Sequence, residues 1–118
     1  MRIVEKVQLS SEDNAQVATL MKAYNLTGCH ELPEDLQKPF GRIRGNDFSL
    51  EDARTAVHIV NMKAARLISE HADNPTLLPD PRTNAQFHQT VISSAEAAKR
   101  YAKQFLDALM EDYDNARA

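Results

Sequence analysis

The densest group of chemically capable side chains is Lys38-Pro-Phe-Gly-Arg42-Ile-Arg44-Gly45, which sets an ammonium, an aromatic ring and two guanidinium forks close together. Guanidinium groups grip phosphate or carboxylate oxygens in pairs, and a neighbouring ring can stack on a base. Lys38, Phe40, Arg42 and Arg44 are therefore candidate ligand-binding residues for a small anionic ligand. Arg82 joins them, because it falls at the expected start of a helix, where free backbone donors favour anions. The stretch from Lys38 to Arg66 carries six basic and three acidic residues in a chain whose formal net charge is −3, an asymmetry that suggests an anionic partner. The competing reading is a solvated loop whose arginines pair with Glu34, Asp35 or Asp47.

Other constellations are less complete. Cys29-His30-Glu31 sets three ligand types side by side, but adjacent side chains do not converge on one ion, and zinc ligands are usually spaced two to four residues apart. A nucleophilic cysteine needs a base and an orienting group, which the sequence does not place near Cys29. No two of the four histidines stand at i, i+4 on one helix, and there are no paired Glu-x-x-His units, so metal and cofactor are expected to be none. Arg66-Leu-Ile-Ser-Glu-His71 and Arg82-Thr-Asn-Ala-Gln-Phe-His88 resemble the Arg-x(4–6)-His signature of helical HEPN ribonucleases. That resemblance implies an arginine that stabilises phosphate charge and a histidine that assists attack by a ribose hydroxyl. Without any further reactive constellation the primary expectation is a non-enzyme with no catalytic residues, and a HEPN-like ribonuclease is kept as an alternative.

These residues need elements to hold them. Residues 2–9 alternate well enough for a short strand, although no partner strand is visible. Ser10 and Ser11 can cap a helix over about 11–25, in which Val17, Leu20, Met21 and Tyr24 make one apolar face and Gly28 supplies the stop. Residues 29–48 contain Pro33, Pro39, Gly41 and Gly45 and read as an irregular connection, apart from one turn of helix near 33–38. Ser49 and Asp52 then form a capping pair for a helix over about 50–72, with a seam of Ala53, Val57, Val60, Ala64 and Leu67. Asp80-Pro81 opens a last helix over about 81–114, whose seam is Val91, Ala95, Ala98, Ala102, Phe105 and Leu109. Small residues around Ser93–Ala98 suit a close helix crossing.

The fold expected is all-α: a small helical bundle in one domain, 1–118, built on a long antiparallel hairpin with the first helix across it. The last helix, about 50 Å long, outreaches its partner of about 34 Å. Phe105, Leu106, Leu109 and Met110 lie in the overhang, to be covered by the first helix or by a second copy. A homo-oligomer with these four at its interface is the expectation.

The 118 residues, 42 % hydrophobic and 26 % charged, have the balance of one globular domain. No apolar run approaches the ~20 residues that cross a bilayer, and the first residues lack an apolar leader, so no membrane and a cytoplasmic location are expected. One cysteine excludes an internal disulfide framework, and three glycines argue against a glycine-loop nucleotide fold. The negative charge gives no general attraction to nucleic acid.

Within residues 49–105, Lys63-Ala-Ala-Arg-Leu-Ile68, the break at Pro79-Asp-Pro-Arg82, Thr90 and Ala95-Glu-Ala-Ala98 resemble the small phage-encoded anti-CBASS cyclic-oligonucleotide sponges. The resemblance implies a short, helical, oligomeric protein that sequesters a cyclic nucleotide signal between protomers without hydrolysing it. The family's methionine-aromatic-alanine ending is missing here. The leading expectation is thus sequestration of an anionic nucleotide signal, of phage or bacterial type. A helical protein-binding inhibitor or adaptor of the counter-defence type is the alternative to it.

Overall fold

The computed structural model describes residues 6–7, 13–73 and 81–117, with the surroundings of side chains 15–72 and 86–111. In chain order these form strand β1 (Lys6–Val7), helix α1 (Asp13–Leu26), a 3₁₀ turn (Cys29–Glu31), helix α2 (Glu34–Arg44), strand β2 (Phe48–Ser49), helix α3 (Leu50–Asp73) and helix α4 (Pro81–Arg117). The expected caps at Ser10, Ser11 and Asp80 lie outside the described residues. The architecture is the all-α bundle that the apolar periodicity predicts: α3 and α4 form the hairpin, and α1 packs along α4. At 1.5 Å rise per residue, the 37 residues of α4 run about 55 Å. That length sets the longest dimension of the molecule, 56 Å.

Both predicted seams are interior except at Leu67 and Val91, toward the end of α3 and the start of α4, which are half-buried. Ala53, Val57, Val60 and Ala64 of α3 are buried, as are Ala95, Ala98, Ala102, Phe105 and Leu109 of α4. The alanines leave room for neighbouring helices to approach closely, and the phenylalanine and leucine fill the wider space where α1 also contributes. From α1, Leu20, Ala23 and Tyr24 are buried, with Val17 and Met21 packed at the edge. The helix ends at Gly28, whose φ of 70° is the left-handed conformation that glycine adopts without strain.

The capping pair before α3 forms reciprocally. The Ser49 backbone N–H donates to Asp52 Oδ2 at 3.1 Å, and the Asp52 N–H donates to Ser49 Oγ at 3.1 Å. Two of the donors left free at a helix start are satisfied this way.

Three expectations are corrected. First, the stretch read as an irregular loop is mostly helix, since α2 runs through both Pro39 and Gly41. An interior proline costs about 3 kcal/mol and an interior glycine about 1 kcal/mol relative to alanine. Against that, fully burying Phe40 and Ile43 contributes about 1.5–3 kcal/mol each, and both are at most 1 % exposed. Helical spacing is what turns these two side chains inward together. Second, the N-terminal strand does have a partner: β1 pairs antiparallel with β2, Lys6 opposite Ser49 and Val7 opposite Phe48. Third, of the covers expected for the apolar overhang, the chain itself supplies one, although from the segment before α3. Phe105 and Leu109 are 0 % and 2 % exposed, and Leu106 and Met110 are half-buried. The Phe105 ring lies 6.4 Å from that of Phe48, so the segment before α3 closes over it.

Candidate functional site

The sequence-predicted cluster is dispersed by the helix it belongs to. Phe40 turns inward, its ring 4.5 Å from Tyr24, so it is a core residue rather than a stacking platform. Arg42 turns toward the start of α3, where its Nη2 donates to Asp52 Oδ1 at 2.7 Å. Burial pushes the Asp52 carboxyl up, but the Arg42 hydrogen bond and the two contacts with Ser49 together hold it below the usual carboxylate range. Lys38 is exposed on α2. Arg82 is in the first turn of α4, and its side chain lies outside the described residues.

Arg44, at the last residue of α2, is placed differently. Its Nη2 approaches Met21 Sδ at 3.9 Å, so the guanidinium leans over α1. There it borders an open groove of about 720 Å³ lined by Val17, Ala18, Met21, Lys22, Asn25, Leu26 and Arg44. The floor is apolar, and the polar groups are two cations and one amide. Lys22 Nζ sits 5.2 Å from the centre of the Tyr101 ring. Neither Lys22 nor Arg44 forms an ion pair among the described residues, whereas Arg42, Arg66 and Lys103 are paired with Asp52, Glu70 and Asp107. Such an arrangement suits an anionic group carried on an apolar body. Lys22 and Asn25 were not legible as site residues, since on a sequence they read as the solvent face of α1.

A second cluster forms where α3 ends and α4 begins. His71 Nδ1 and His88 Nδ1 meet at 2.8 Å, although 17 positions separate them. His88 is 7 % exposed and its Nε2 is buried without a hydrogen-bond partner. The Phe87 ring, 43 % exposed, stands 5.4 Å from His71 and 5.6 Å from His88. These are the histidines of the two Arg-x(4–6)-His spacings, so hairpin closure brings the two spacings together. Of the pair, only half-buried His71 is open to solvent. Arg66 is held by Glu70 at 2.9 Å on the surface of α3.

The Cys29-His30-Glu31 run scatters. Cys29 is buried, with Thr27 Oγ1 at 2.8 Å from its Sγ, and burial pushes its thiol up despite that contact and the charge of Lys63. His30 is exposed beside Glu31, 3.9 Å away. Among the described residues no three of the metal-ligating types His, Cys, Asp and Glu gather. No helix among them is long and apolar enough to cross a membrane. Comparison with family models, curated proteins and solved structures gives no match.

Proposed function

We propose that the protein is a non-enzymatic helical binding protein that sequesters an anionic nucleotide signal in the cytoplasm, in a phage or bacterial setting. The single observation that carries the anion is the Lys22–Arg44 groove: two cations without carboxylate partners among the described residues, over an apolar floor. In this reading the phosphate lies between Arg44 and Lys22 while the base covers Val17 and Met21. The resemblance of residues 49–105 to the sponge proteins supports a nucleotide over other anions. It also supports a homo-oligomer, in which a second copy closes the open side of the groove.

Calorimetric titration with cyclic and linear nucleotides tests the reading. A charge-assisted contact is worth about 1.5–3 kcal/mol, so Arg44→Ala should weaken binding by about 10- to 150-fold. Lys22→Ala should act in the same direction, and Arg42→Ala much less. Absence of binding to every nucleotide, together with a stable complex with another protein, would turn the reading to the helical inhibitor or adaptor.

A ribonuclease reading has one observation in its favour, the meeting of His71 and His88. Cleavage of RNA in metal-free buffer, abolished by His71→Ala, would establish it and displace the binding reading.

A further inference from the structure

From the geometry where α3 ends and α4 begins, we infer that His71 and His88 form a binding site for a first-row divalent transition-metal ion, independent of the groove. Two imidazole nitrogens from different helices lie 2.8 Å apart. At metal–nitrogen distances of about 2.0 Å, two ligands in adjacent positions at a right angle stand about 2.8 Å apart, and tetrahedral ligands about 3.3 Å apart. The separation thus matches a tetragonal ion such as Cu²⁺ or Ni²⁺ once the rings turn both lone pairs toward one point, and tetrahedral Zn²⁺ needs about half an ångström of opening besides. Imidazole nitrogen selects these ions over Mg²⁺ and Ca²⁺, which take oxygen ligands.

Protons add to the argument. In the free pair one Nδ1 carries hydrogen and the other accepts it. A bound ion needs both Nδ1 lone pairs, so the shared proton leaves Nδ1 and the donor ring takes one at Nε2 instead. When His88 is the acceptor, its buried Nε2 already holds hydrogen, and the exchange happens at half-exposed His71, which water reaches. Among the described residues no third ligand of the His, Cys, Asp or Glu types joins the pair. Phe87 forms an apolar wall beside the two rings.

The test uses the full chain, titrated separately with Ni²⁺, Cu²⁺, Zn²⁺ and Mg²⁺ and followed by calorimetry and by nitrogen-detected NMR of the histidine rings. Expected are one ion per chain, tighter Cu²⁺ than Ni²⁺, and no Mg²⁺ binding. The ring spectra should pass from two different tautomers to two Nε2–H rings when diamagnetic Zn²⁺ is added. His71→Ala, at a half-exposed position, should keep the helical circular dichroism and weaken Ni²⁺ binding by more than about 10-fold, the low end of what even outer-shell changes cost. His30→Ala and His58→Ala, both exposed, should leave it unchanged. Binding untouched by His71→Ala, binding lost only in the His30 or His58 variants, or no Ni²⁺ or Cu²⁺ binding at all would each overturn the inference.

Discussion

The two ends of the α3–α4 hairpin bury their side chains for different reasons. At the α3 start, Phe105, Phe48 and Leu109 are buried in the apolar core, and the polar groups nearby answer one another: Ser49 with Asp52, Asp52 with Arg42. At the other end, His88 is nearly as buried, yet one of its ring nitrogens has no partner and the aromatic ring beside it is left partly in water. The first end is organised the way stability demands, with apolar volume filled and polar groups satisfied. An unpaired buried ring nitrogen breaks that rule, and functional sites are where the rule is often broken. The contrast separates an end whose polar groups are satisfied from an end that leaves a buried ring nitrogen unpaired.

Substitutions can break or sharpen this contrast. The largest effect is expected at the apolar end, where Phe105→Ala should lower stability by about 3–5 kcal/mol in a denaturant titration, because it opens a cavity in a fully packed layer. A loss under about 1 kcal/mol would mean that the layer is loosely packed.

Asp52→Asn should cost about 1–2 kcal/mol by weakening the cap and the Arg42 contact together. Its pH dependence has a definite sign. The folded-state carboxyl titrates below its ordinary value, so its contribution is complete above the unfolded-state pKa and is lost as pH falls through the folded-state one. The gap in melting temperature between wild type and variant should therefore hold at neutral pH and close in acid. A gap that widens on acidification would contradict the assignment.

His88→Leu tests the other end and should change stability by less than about 1 kcal/mol in either direction. It removes an unpaired buried nitrogen, and half-exposed His71 then bonds to water. A loss comparable to that of Phe105→Ala would make the histidine pair a structural device and erase the contrast.

The smallest effect has the opposite sign. A Cβ on Gly41 would meet nothing within 4 Å, so Gly41→Ala should stabilise the protein by about 0.4–1 kcal/mol through helix propensity and a less free unfolded chain. Destabilisation would argue against α2 as a helix at that position.

Gly41 also marks where sequence reading stops. The seams of α3 and α4, the Ser49–Asp52 cap and the halt of α1 at Gly28 are carried by spacings of three or four residues, and each is legible without knowing what lies across the core. Proline and glycine in α2 are equally local signals, but here they point the wrong way. The burial of Phe40 and Ile43 against Tyr24 and the hairpin outweighs them. The pairing of β1 with Phe48–Ser49 is invisible for a related reason, since two residues show no alternation. Of the candidate ligand residues, Arg44 keeps an unpaired cationic head among the described residues, while Phe40 and Arg42 acquire partners that only the folded chain supplies.

By itself the sequence determined an all-α bundle, its three long helices, their inward faces and the cap of α3, because helix formation and amphipathicity depend on neighbours within one or two turns. Only the tertiary structure decided that Phe48 closes over Phe105, that Arg42 is held by Asp52 while Arg44 leans over Met21, and that His71 meets His88. Those contacts join residues at least 10 positions apart, and their energies arise when the elements dock and exclude water, a condition that no local spacing encodes.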